Sequence, residues 1–113
     1  MSCVFCEIAA GNVDADIVYE DDRAVAFRDS NPQAPLHILV IPRAHIDGPL
    51  AVDAQNEDTI GHLVAVAATV ARQEGVADDG YRLVINQGRN GGQSVFHLHL
   101  HILAGRRMTW PPG

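Results

Sequence analysis

The sequence predicts an α+β domain in which a five-stranded antiparallel sheet carries one long helix. Three observations lead there. Five short β-prone runs are bounded by turn residues, one longer stretch repeats apolar residues at helical spacing, and a length of 113 residues suits a single core. Residues 17–20 and 24–28 form the first two runs, with Asp21-Asp22 between them as a hairpin signal. Leu36 to Ile41 is a stronger strand that stops at Pro42, which has no N–H to give a ladder. From about Asn56 to Glu74, Ile60, Leu63, Val64, Ala67, Val70 and Ala71 recur at helical spacing. Asp53 or Asn56 is available to cap this helix, and Gly75 to end it. Tyr81 to Asn86 is the fourth strand, Gln87 to Ser94 a glycine-rich loop, and Phe96 to Leu103 the fifth strand. The tail, residues 106–113, ends in Trp110-Pro111-Pro112-Gly113 and cannot continue a central strand. Its lone tryptophan and the exposed edge of so small a sheet both need cover, so a homodimer is expected, with the sheet continued across it.

Composition narrows the function. Nearly half the residues are apolar (47%), yet no apolar run approaches the roughly 20 residues of a membrane span. A formal charge of -6 and the lack of a basic cluster argue against extended nucleic acid as a partner, though a few local donors suffice for one nucleotide. The N-terminal residues do not resemble a secretion signal, and a cytoplasmic location is expected. Both cysteines fall in one Cys3-x-x-Cys6 unit. In a reducing compartment that spacing reads as a metal knuckle or a redox pair before a structural disulfide.

The chemistry concentrates in Phe96-His97-Leu98-His99-Leu100-His101-Ile102. The two-residue period of a strand puts the three imidazoles on one face and Leu98, Leu100 and Ile102 on the other. A catalytic metal site is one reading of such a face, but the strand contains no carboxylate to support it. In the other reading one imidazole attacks phosphorus while its neighbours manage protons and phosphate oxygens. The loop Asn86-Gln87-Gly88-Arg89-Asn90-Gly91-Gly92-Gln93-Ser94 just before offers backbone N–H groups and a hydroxyl to a phosphate. His62, on the helix, is read as structural.

The run from Gln93 to Leu103 resembles the signature of the histidine-triad (HIT) superfamily, in which three histidines alternate with apolar residues. The resemblance extends to Phe27-Arg28-Asp29 and to the stretch from Pro32 to Ile46, and so spans most of the chain. The ending from Gly105 to Gly113 is similar to the Hint branch, dimeric purine nucleoside phosphoramidate hydrolases. Other branches cleave dinucleoside polyphosphates or transfer nucleotides, and a non-catalytic nucleotide scaffold is a further alternative. The resemblance implies one HIT domain over residues 1–113, with a knuckle and short helix in 1–10. It implies a nucleotidyl intermediate on His99, His101 on the phosphate, His37 behind it in a proton relay, Ser94 on phosphate or leaving group, and His97 supporting the geometry. Asp29 would take the ribose hydroxyls, Phe27 and Ser30 would belong to the nucleotide site, and Asn86, Gly92 and Gln93 would line the phosphate side. Ser30 departs from the aliphatic residue usual in this branch. Cys3, Cys6, His45 and His97 resemble the structural zinc set of bacterial relatives, and no organic cofactor is expected.

Overall fold

The structure, a computed structural model, describes residues 3–113; Met1 and Ser2 of the expected N-terminal knuckle segment lie outside the described residues. Its elements are α1 (Val4–Ala9), β1 (Ile17–Glu20), β2 (Ala24–Arg28), β3 (Leu36–Pro42), a 3-10 turn (Pro49–Ala51), α2 (Glu57–Gln73), β4 (Tyr81–Val84), the one-turn helix α3 (Gly88–Gly91) and β5 (Leu100–Ala104). The five strands form one antiparallel sheet in the order β1-β2-β3-β5-β4.

Strand alternation gives the sheet two apolar faces. Ala24, Ala26, Ile38, Val40, Leu100 and Ile102 point to one face and pack with Leu63, Val66, Ala67 and Val70 of α2. Val25, Phe27, Leu39 and Ile41 point to the other and pack with Phe5 and Ile8 of α1. Side chains of β2 and β3 are therefore buried on both faces, which is why their sequences read as continuous apolar runs. The chemistry lies on the α1 face.

Three expectations are corrected by local physics. The fifth strand begins at Leu100 rather than Phe96. The register pairs Val40 with Leu100, so the residue opposite Leu98 is Pro42, which has no N–H to offer. The ladder ends there, and the Leu98 N–H turns to the Ile46 carbonyl at 2.6 Å. The fourth strand stops at Val84, two residues short of Asn86. The loop 87–94 is not plain coil but contains α3, closed by Gly92 at φ +81°, a left-handed conformation that favours glycine.

At α2, Asn56 occupies the N-cap position without a side-chain cap bond; its amide reaches back to the Asp53 N–H and the Ala51 carbonyl. Gly75, at φ +75°, follows the C-cap Glu74. His62 bonds Asp21 at 2.8 Å and ties α2 to the β1–β2 turn. Asp21 also accepts from the Tyr19 hydroxyl and the Arg23 and Ala24 N–H groups. Burial works against this carboxylate, but those bonds outweigh it and hold its pKa at about 2. Among the described residues no helix is long and apolar enough to cross a membrane.

Candidate active site

Residues 95–99 run on from β5 without a ladder partner, and their alternation still places His97, His99 and His101 on the α1 face. The hydrogen bonds of each ring fix which nitrogen carries the proton. His99 Nδ1 donates to the His97 carbonyl at 2.7 Å, which leaves the Nε2 lone pair free. The ring is buried, and Phe5 stands edge-on to it with centroids 5.2 Å apart.

His37 and His101 are diagonal neighbours on β3 and β5, because the register sets Leu39 opposite His101 and His37 opposite Leu103. The Gln33 N–H donates to His37 Nδ1 at 3.0 Å, so the proton of His37 sits on Nε2. That Nε2–H reaches His101 Nδ1 at 2.8 Å and places the proton of His101 on its own Nε2. His101 Nε2 is buried and has no partner among the described residues. A buried N–H without an acceptor costs about 1–3 kcal/mol, so an acceptor arriving in the site recovers that cost. Burial, with His99 and His37 nearby, pushes the pKa of His101 down to about 4, while Asp29 opposes. Burial also lowers His37, again against Asp29, whose carboxylate lies 3.5 Å from His37 Nε2. Both rings are therefore neutral near pH 7.

These groups open onto a cavity of about 670 Å³. His99, His101 and Ser94 line one side of it; Asp29, Ser30 and Phe27 belong to the wall built by the end of β2. His37 is buried behind His101. Asn86 and Gly92 do not line this cavity. Gln93 is 6% exposed and its amide is fully engaged, donating to the Asp47 and Val95 carbonyls and accepting from the Gly88 N–H. It pins the 87–95 loop against the loop that follows His45. Gly48 belongs to the same clasp, since a Cβ there would meet Gln87 Oε1 at 2.8 Å and Gln93 Nε2 at 3.0 Å.

Sequence reasoning missed the walls that Val4, Phe5, Ile8 and Leu39 give the cavity. The apolar Val4, Phe5 and Ile8 on a short helix were a signal for a packed face, but not for where it packs. It also missed that the fold brings a carboxylate, Asp29, to the histidines of another strand.

The second cluster is Cys3, Cys6, His45 and His97, whose ligand atoms all lie within 4.8 Å of one another. His97 is fully buried and its Nε2–H donates to the Pro42 carbonyl at 2.8 Å, so Nδ1 turns its lone pair toward Cys3 Sγ at 3.4 Å and Cys6 Sγ at 3.5 Å. His45 Nδ1 lies 3.3 Å from Cys6 Sγ, while its Nε2–H donates to Asp47 Oδ1 at 2.7 Å. Around a tetrahedral zinc, the bond lengths to nitrogen and sulfur give an N···S edge of about 3.6 Å. The donor set, its spacing and the carboxylate behind His45 therefore fit zinc. With all four positions taken by protein, such an ion would hold α1 to the sheet and supply no catalytic step.

Comparison with known proteins agrees with this architecture. The HIT domain family model matches residues 10–108. The chain is 50% identical over 103 residues to the purine nucleoside phosphoramidase of Escherichia coli, covering 91% of this chain and 87% of that protein. It is 47% identical over 112 residues to a 14 kDa zinc-binding protein of Zea mays, covering 97% and 87%. The crystal structure of a HIT family hydrolase from Legionella pneumophila superposes with a TM-score of 0.96 at 46% identity, covering 99% of this chain and all of that one. Sheet order, histidine constellation and these likenesses agree, and the chain belongs to the HIT domain family.

Proposed function

We propose that this HIT protein is a hydrolase that cleaves the P–N bond of purine nucleoside phosphoramidates through a nucleotide held covalently on His99. The observation that carries the reading is the pairing of a free lone pair on His99 Nε2 with an unpartnered N–H on His101, both facing one cavity. The first is a nucleophile and the second a donor for a phosphoryl oxygen or the departing nitrogen. The relative named purine nucleoside phosphoramidase supports the same reaction class.

In the first step His99 Nε2 forms a bond to phosphorus and the P–N bond breaks, its electron pair leaving with nitrogen. That nitrogen needs one proton. An anionic phosphate beside His101 offsets the desolvation that keeps the His101–His37 pair neutral, so the pair takes up a proton as substrate binds and passes it to the amine. In the second step water attacks phosphorus, the bond to His99 Nε2 breaks with its electron pair returning to the ring, and the water's proton passes to the pair, which releases it as the nucleoside monophosphate leaves and so returns to its starting state. Ser94 donates to phosphate or leaving group, Asp29 accepts from the ribose hydroxyls, and Phe27 and Ser30 stand on the base and ribose side. Gln93 holds the loop that carries Ser94, while Asn86 and Gly92, which lie off the cavity, take no direct part.

In this reading the protein is a cytoplasmic homodimer that binds a nucleotide of the AMP or GMP type and carries one structural zinc on Cys3, Cys6, His45 and His97. The unpaired edge of β4 and Trp110, 82% exposed, are the surfaces a second copy would cover. One observation favours metal-dependent hydrolysis instead: Asp29, His37 and His101 are also close enough together for a cation. A fluorogenic adenosine phosphoramidate tests both. Turnover that persists in a strong chelator supports the covalent route; turnover abolished by chelator and restored by metal supports the other.

A further inference from the structure

Next to the nucleotide cavity lies a second hollow of about 420 Å³. The two share Val4, Ser94 and Val95 as a common wall. Across that wall the lining changes character. Phe96 is 57% exposed, an aromatic ring outside the core although the next residues, His97 and Leu98, are fully buried. Asp47 stands with it. The His45 ring holds the carboxylate at Oδ1, and the Gln93 amide holds the backbone carbonyl of the same residue. Its side chain remains 75% exposed, so Oδ2 is open to a further donor.

The distribution of positive charge is as informative. The chain has no lysine, and all eight of its basic residues are arginines. None lines the second hollow. The one arginine on the nucleotide cavity, Arg28, is already paired with Glu74 at 2.6 Å and Asp16 at 3.4 Å. His45, which also lines this hollow, is committed to Asp47 and Cys6, so among the described residues a leaving group bearing further phosphates would find no free arginine on this path and would meet Asp47 instead.

Displacement at phosphorus proceeds in line, so the departing atom points away from His99. Ser94, the hydroxyl nearest the reacting phosphate in the proposed reaction, belongs to both hollows. We propose that the hollow bounded by Ser94, Phe96 and Asp47 receives the departing group, and that it selects an amine with an apolar body and a second, positively charged end. Phe96 and Val95 cover the body, and Asp47 faces the charge. This rests on the phosphoramidate reading above and adds to it the class of amine and the residues that choose it.

The test uses full-length protein and adenosine 5′-phosphoramidates of linear amines matched in length and ending in an ammonium, a neutral amide or a carboxylate. For each, kcat/KM is measured with the wild type, Asp47→Asn, Asp47→Lys and Phe96→Ala. The wild type should prefer the ammonium ending to the carboxylate by about three- to tenfold at low salt, the size expected of a partly exposed ion pair, and less at high salt. Asp47→Asn should flatten the order and Asp47→Lys invert it. With a second series, adenosine 5′-phosphoramidates of unsubstituted linear amines from methylamine to hexylamine, Phe96→Ala should lower kcat/KM for the longer amines more than for methylamine, an arm independent of Asp47. Each ratio is taken within one protein, so lost zinc or lost active enzyme cancels. Turnover of every substrate with ratios unmoved by the Asp47 and Phe96 variants overturns the subsite and leaves the reaction standing. No turnover of any phosphoramidate by the wild type overturns both.

Discussion

Replacing His37 by Leu removes two hydrogen bonds, one accepted from the Gln33 N–H and one donated to His101, and the effect of losing the second can be sized from the geometry. His37 is 6% exposed, and its Nε2–H meets His101 Nδ1 at 2.8 Å. Leucine fills much of the space but cannot donate. The His101 acceptor is then left unsatisfied in a largely buried position, a loss of about 1–3 kcal/mol. It is also free to move its proton to Nδ1, which would turn a lone pair rather than an N–H toward the phosphate. At 1.36 kcal/mol per factor of ten, kcat should fall roughly five- to 150-fold. AMP affinity should change less, since Ser94, Asp29 and the cavity walls remain. His37→Gln can present an amide N–H to the same nitrogen and should recover part of the rate. The assay is steady-state turnover of a fluorogenic adenosine phosphoramidate, with thermal melting to confirm folding and calorimetry for AMP. Equal rates for wild type and His37→Leu, or a glutamine variant no better than leucine, would refute the relay.

Protein purified without chelator should contain about one zinc per chain by elemental analysis, and Cys6→Ser should lower both that content and the Tm, because the ion ties α1 to the sheet; a metal content near zero would sink the site. In the Hint branch that the ending resembles, the tail reaches toward the partner's site; deleting residues 106–113 should therefore change the preference among leaving groups more than it changes the Tm, and unchanged selectivity would count against that placement. The pH dependence of stability carries its own sign. Burial lowers His101 to about 4 and lowers His37 below its ordinary value, whereas the unfolded chain protonates both near 6.5. Stability from these rings is therefore complete above about pH 6.5 and lost as pH falls toward 4. His101→Gln should show a shallower fall in Tm over that window, and an identical slope would contradict the assignment.

The sequence revealed the elements better than it revealed their meetings. β2, β3 and α2 were legible because burial on both sheet faces and a helical repeat leave local signatures. Even there the helix face was rotated slightly. Val64 was expected in the core and is 43% exposed, while Val66 is buried, since the packed stripe runs through 63, 66, 67, 70 and 71. The end of β5 was misplaced because its partner at that position is Pro42, a fact of register that no local window contains. The histidine face was visible at period two, but the role of each imidazole depends on distant partners. The Gln33 backbone sets His37, His37 sets His101, and Phe5 packs on His99 from the far end of the chain. The loop chemistry of Gln93 was misleading for a related reason. In a glycine-rich turn its amide looks available to phosphate, and only the fold reveals that its donors and acceptor are already committed.

The covalent bond between phosphorus and His99 Nε2 can be caught by rapid-quench mass spectrometry on the wild type. Mixing enzyme with an adenosine phosphoramidate and quenching during the first turnover should yield a protein heavier by one adenylyl group, located on His99 by fragmentation. His99→Ala should form no such adduct and lose turnover by several orders of magnitude, while still binding AMP within roughly tenfold of the wild type. Turnover that survives His99→Ala, or an adduct that never forms while a chelator abolishes activity, would contradict covalent catalysis by His99.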